Sequence, residues 1–152
     1  MRTPEGQTLS SDTRALIARA LGLLGSACVS LGELGKGEEV LRLAVQYAGD
    51  SPAASDVYLR LGDAMMSDGR SGEAIGPLRR AANLGAPSDR VWPLLARALM
   101  ERGRMLAAYA AVLEGQSAGV SVDSLAAVLK QVSSSLGDPF QTLRQSIEKS
   151  AS

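Results

Sequence analysis

Few residues of this 152-residue chain could do covalent or proton-transfer chemistry, and their spacing does not favour it. There is no histidine, which removes the commonest general base and the commonest metal ligand. The single cysteine, Cys28, allows no internal disulfide and no cysteine-based metal cluster. Glu38 and Glu39 are adjacent, so they point apart on a helix. Glu38 and Arg42, four residues apart, read as a surface ion pair worth ~0.3–0.5 kcal/mol. Ser133, Ser134 and Ser135 have no base beside them. Gly22, Gly25, Gly32, Gly35 and Gly37 are too scattered to cradle a phosphate. The expectation is a non-enzymatic protein with no catalytic residue, no metal and no cofactor.

Composition narrows the remaining classes. Lys plus Arg and Asp plus Glu both number 16, giving zero net charge, where a nucleic-acid binder usually shows a basic excess. No apolar run reaches the roughly 18–20 residues of a membrane span. The length fits one domain. Aromatics are 3% of the chain, so alanine, leucine and glycine must fill the interior, which suits closely packed helices better than a sheet. Arg14 and Arg19 followed by Ala20–Cys28 resemble a short lipoprotein signal, but Gly25 is a poor residue three places before the cysteine, and Glu5 and Asp12 dilute the positive start. Cys28 is therefore expected inside a helix of a cytoplasmic protein. The alternative is a periplasmic lipoprotein anchored through Cys28.

The elements that would hold any binding residues follow from a repeat. Residues 56–115 carry one pattern twice, 34 residues apart: Trp92 for Tyr58, Leu95 for Leu61, Ala96 for Gly62, Leu99 for Met65, Gly103 for Gly69, Ala108 for Ala74. Counting back a further 34 equates Gly35 with Gly69, Cys28 with Gly62 and Leu31 with Met65. Small residues let paired helices approach, large ones fill between them, and the glycine takes the turn. Expected helix pairs are 12–34 with 37–48, 55–68 with 71–84, and 89–102 with 105–117. Ser11 or Asp12 is a suitable N-cap for the first. Pro93 is expected in a first turn, and Pro77, deeper in its helix, to bend it or locally open it.

A 34-residue helix–turn–helix period resembles the tetratricopeptide repeat. The resemblance implies an all-α, right-handed α-solenoid of three helix hairpins with one or two C-terminal capping helices. The expected layout is a flexible segment 1–10, three repeats over 11–122 (about 21–54, 55–88 and 89–122), and capping helices over 123–152. Ser121 or Asp123 caps a helix striped by Leu125, Val128, Leu129, Val132 and Leu136. Gly137 ends it, and Asp138-Pro139 opens a last helix with Phe140, Leu143 and Ile147 on one side. That helix could pack on the cap, fold into the groove or meet another chain.

The resemblance also implies a site. First helices line a concave groove, and the carried-over contact positions are Val29 and Glu33; Asp56, Leu59, Asp63 and Met66; Arg90, Arg97 and Met100, with Gly25, Gly32 and Pro93 among them. Apolar residues with both signs of charge suit an amphipathic helix or extended peptide. Asp63 and Arg97 could equally pair with each other. The positions of the Lys/Asn clamp that grips chaperone C-termini fall at Gly25, Val29, Asp63, Pro93 and Arg97, and only Arg97 has fitting chemistry, so no carboxylate clamp is expected. The implied function is a protein–protein interaction module, an adaptor or scaffold. Alternatives are a bacterial secretion chaperone, whose translocator-binding type III members share this layout, and a lipid-anchored periplasmic assembly factor. The partner is another protein or peptide, with no nucleic acid and no direct membrane insertion. Monomer and homodimer both remain open.

Overall fold

The structure, a computed structural model, describes residues 8–151 apart from the side chains of 138–143. Among the described residues seven helices follow in order: α1 Ser11–Ser30, α2 Leu34–Ala48, α3 Ala53–Ser67, α4 Ser71–Asn83, α5 Ser88–Glu101, α6 Met105–Ser117 and α7 Val122–Ala151. They form two compact units that divide between Pro87 and Ser88.

In the first unit α1 pairs with α2 and α3 with α4, and α3 packs against both helices of the first pair. Ala18, Ala44, Ala48, Ala54 and Val57 meet where α1, α2 and α3 converge, flanked by Leu21, Val45, Tyr47 and Tyr58. The N-cap of α1 lies one residue before the expected Ser11 or Asp12. Ser10 is the N-cap, and its hydroxyl accepts a hydrogen bond from the Thr13 N–H at 3.2 Å. In the second unit α5 pairs with α6, and α7 packs on both. Gly115 makes room there: a β-carbon on it would lie 3.0 Å from Trp92 Cβ and 3.3 Å from Leu125 Cδ1.

The turns show which glycines are equivalent. Gly32, Gly69 and Gly103 all have positive φ. Each sits in the same hydrogen-bond pattern: Glu33 N–H to the Cys28 carbonyl, Arg70 to Met65 and Arg104 to Leu99, every one a six-to-one closure at a helix C-terminus. The turn of the first hairpin is therefore at Gly32, and Gly35 lies inside α2. The stride is 34 residues from Gly69 to Gly103 but 37 from Gly32 to Gly69. Two of the three extra residues lie in α2, which has 15 residues against 13 in α4, and one in α3, with 15 against 14 in α5. A constant 34 therefore misplaces the first repeat. Leu31, equated above with buried Met65, is an exposed turn residue.

With the 37-residue shift the packing logic becomes uniform. A β-carbon on Gly25 would lie 2.6 Å from Leu41 Cγ, and one on Gly62 would lie 2.6 Å from Leu78 Cγ. Ala96 and Val112, both fully buried, hold the corresponding places in the third pair. A small residue on the first helix receives a large one from the second. In the first pair a second glycine joins in: a Gly37 β-carbon would lie 2.9 Å from the Gly25 carbonyl oxygen.

α4 runs through Pro77 to Asn83. Pro93 departs from expectation, because α5 begins at Ser88 and so puts it in the second turn rather than the first. Ser121 caps α7, accepting the Ser124 N–H at 3.4 Å. α7 breaks at Gly137, whose φ of 73° and ψ of −171° are non-helical. Its second arm turns back: Arg144 donates to Ser133 Oγ at 3.2 Å, where eleven residues of straight helix would span about 16 Å. The terminal segment thus packs on the helix before it. Phe140 and Leu143, expected on its apolar side, have side chains outside those described, as residues 1–7 of the N-terminal segment lie outside the described residues.

Candidate functional site

In the first unit α1 and α3 run side by side, and a shallow cleft opens between them. The Arg60 side chain lies across α1 beside Gly22, where a β-carbon would sit in ordinary contact, 3.4 Å from Arg60 Cδ. Arg60 Nε donates to Asp56 Oδ2 at 2.6 Å and another guanidinium N–H donates to Ser26 Oγ at 3.0 Å. One arginine thus ties the two helices together and is held flat against the floor. Around it lies a cavity of about 410 Å³ lined by Arg19, Leu23, Pro52, Ala53, Asp56 and Arg60. Arg19 is exposed, and among the described residues it has no ion-pair partner.

The nine expected contact residues fall into different places. Asp56 lines the cleft. Asp63, on α3, is half-buried. Leu59 and Met66 are buried and fill the interior, so neither offers its side chain to a ligand. Val29 is spent on the hairpin: its Cγ2 lies 2.6 Å from where a Gly37 β-carbon would be. Glu33 is not on α1 at all. It is the N-cap residue of α2 and pairs with Lys36 at 3.2 Å. In the second unit Arg90 and Arg97 are exposed on α5 and Met100 is half-buried. Arg97 reaches Glu101 one turn on, at 3.9 Å.

Arg19, Leu23, Ser26 and Arg60 were missed. Counting from Gly32 instead of Gly35 would have found two of them, Arg19 and Ser26. The 37-residue shift puts Arg19 at the place of Asp56, Ser26 at that of Asp63 and Leu23 at that of Arg60. It also moves the first-helix clamp positions to Gly22 and Ser26, neither of them cationic.

A second polar cluster lies at the turn before α4. Arg70 bonds Glu38 of α2 and Glu73 of α4, and lies 3.5 Å from Asp68, while Arg42 holds Glu38 at 2.7 Å. The Arg70 guanidinium beside Glu38 holds that carboxyl below its ordinary value, helped by Arg42 and opposed by partial burial. Glu73 is lowered by the same guanidinium, and Arg70 is raised by the two carboxylates. The arrangement is an α2–α4 tie with no acid–base pair held near neutrality. Burial raises the Tyr109 phenol of α6, with Glu148 of the returning arm adding to the shift. Among the described residues no group of three His, Cys, Asp or Glu could hold a metal, and no helix is long and apolar enough to cross a membrane.

No protein-family model matches the sequence, and no curated protein matches it. Among solved structures the chain is similar to the Sgt2 TPR domain from Aspergillus fumigatus, with 18% identity and a TM-score of 0.63 over 99% of this chain and 83% of that one. Helix pairs, left-handed turn glycines and small-to-large packing across each hairpin, together with that likeness, give this chain the tetratricopeptide-repeat fold.

Proposed function

We propose that the chain is a non-enzymatic protein-binding module that takes a short segment of another protein in the α1–α3 cleft. The observation that carries this reading is Arg19, exposed and without an ion-pair partner among the described residues, beside Leu23 over a floor fixed by Arg60. An unpaired guanidinium next to an exposed aliphatic suits a peptide with a carboxylate adjoining an apolar residue. Asp56, already engaged by Arg60, acts on the partner through the orientation it gives that floor. Asp63, Arg90, Arg97 and Met100 stand as further contacts, to be tested one by one. No terminal-carboxylate clamp is expected, since neither Gly22 nor Ser26 can supply its lysine or asparagine.

Selection of displayed random peptides on the purified chain tests the reading. Acidic–aliphatic peptides should be enriched and bind with Kd values of about 1–100 μM. Arg19→Glu should weaken them about tenfold or more with helicity unchanged. No enrichment, or peptides indifferent to Arg19→Glu, Asp63→Lys and Arg97→Glu alike, would refute it. We place the protein in the cytoplasm. Cys28 lies within α1, and processing at that residue would remove Gly22 and Gly25, on which the cleft and the first hairpin depend. An intact mass matching the unprocessed, unacylated chain is the expected result.

A further inference from the structure

α4 carries two residues that its place in the repeat does not call for. Gly76 and Pro77 stand side by side in the helix interior, where glycine and proline are the least favourable residues. The matching places hold Glu39 and Val40 on α2, by the 37-residue shift, and Ala110 and Ala111 on α6, by the 34-residue one. Packing does not require the pair. Gly76 is exposed, and nothing lies within 4 Å of where its β-carbon would sit. Close approach within this hairpin is already served by Gly62, which receives Leu78. A local rule broken with no return in packing points to a functional position.

Both residues line a cavity. α2 and α4 each pack on α3 and not on each other. The gap between them holds about 530 Å³, within the range of small-molecule sites. Tyr58 and Leu61 of α3 line it, with Arg42 of α2 on one side and Gly76, Pro77 and Arg80 of α4 on the other. Three chemistries meet there. Tyr58, Leu61 and the Pro77 ring offer apolar surface, and the bare Gly76 leaves the rim open. Arg80 is exposed and has no ion-pair partner among the described residues. Arg42 donates through Nε and one terminal nitrogen to Glu38 and keeps its other N–H groups. Two guanidinium groups at one mouth favour an anion, and a carboxylate above all. The third group is an acceptor. Pro77 has no N–H to give the Glu73 carbonyl, one turn back. At 100° per residue Glu73, Gly76, Pro77 and Arg80 share about 100° of arc, so that carbonyl belongs to the cavity side of α4.

We infer that the cavity between α2 and α4 binds a small aromatic carboxylate that also carries an N–H. The ring meets Tyr58, Leu61 and Pro77, the carboxylate meets Arg42 and Arg80, and the N–H donates to the Glu73 carbonyl. The site is separate from the α1–α3 cleft, which uses Asp56 and Arg60 of α3 instead. Indole-3-acetate has all three groups and serves as the probe. 1-Naphthylacetate lacks the N–H, and indole-3-acetamide lacks the charge. Titration of the isotope-labelled full chain, followed by its backbone amide signals, should show saturable binding of indole-3-acetate with a Kd of about 10–500 μM. The amide should bind about tenfold more weakly or worse, and 1-naphthylacetate several-fold more weakly. Arg80→Glu should weaken indole-3-acetate about tenfold or more with helicity unchanged. Gly76→Leu closes the rim and removes a poor helix former, so it should abolish binding while raising the melting temperature. Pro77→Ala gives the Glu73 carbonyl its helical donor back and should erase the preference for indole-3-acetate over 1-naphthylacetate. No saturable binding, equal binding of acid and amide, undiminished binding in Gly76→Leu, or a preference that survives Pro77→Ala would each overturn the proposal. So would loss of probe binding in Arg19→Glu, which would move the probe into the cleft. Failed peptide selection with probe binding intact would instead strike only the cleft reading.

Discussion

Two glycines three residues apart carry opposite burdens. Gly32 has a φ of 84° at the close of α1, a conformation that costs an L-residue about 1–2 kcal/mol. Gly35 lies in the first turn of α2 with nothing within 4 Å of where a β-carbon would sit. Gly32→Ala should therefore destabilise the chain by ~1 kcal/mol, and Gly35→Ala should stabilise it by ~0.5 kcal/mol through the unfolded state. Urea titrations of the two variants check both signs. If Gly35 were the turn residue, the effects would exchange. Arg60 lies against the Gly22 backbone and reaches Ser26 Oγ at 3.0 Å.

At the scale of elements, the tie between α2 and the turn before α4 should make stability depend on acid. Glu38 sits below its ordinary value of 4.5 in the folded chain. Its contribution is therefore complete above that ordinary value and fades as pH falls through the lower, folded one. Melting temperature should drop on acidification below about pH 4.5 more steeply in the parent than in Glu38→Gln, as followed by circular dichroism. The elements themselves were mostly legible beforehand. Apolar residues at helical spacing, Ser121 as a cap and Gly137 as a break mark their ends in the letters alone. The first repeat was not legible in the same way, because Gly32 and Gly35 are both plausible turns and only the hydrogen bonds of Glu33 and Gly32 choose between them. The site inherited that ambiguity. Three residues of slip put Val29 in the place that belongs to Ser26 and Gly22 in the place that belongs to Arg19. Leu59 and Met66 illustrate a second limit, since a helical position facing a groove and one facing a neighbour look alike in sequence.

For the whole molecule, charge balance matters more than any single pair. Sixteen cationic and sixteen anionic residues give a pI of about 6.3, so net repulsion hardly opposes association near neutral pH. Solubility should be lowest close to pH 6.3 and rise on either side, as light scattering would record. Leu24→Glu should raise it further by removing an exposed leucine. A pH-independent scattering profile would show that apolar contact, not charge neutrality, governs the behaviour.

The left-handed turns have a consequence for how such a chain can change length. Gly69, Gly103 and Gly137 stand 34 residues apart, as do Gly85 and Gly119 in the alternate turns. A segment of 34 codons duplicated or lost between two of these sites would rejoin one left-handed glycine to the place of another, with every helix still whole. Inheritance can therefore add or remove entire pairs in single steps, and the odd strides of 37 from Gly32 to Gly69 and 36 from Gly49 to Gly85 mark the repeat where such an exchange would leave a scar.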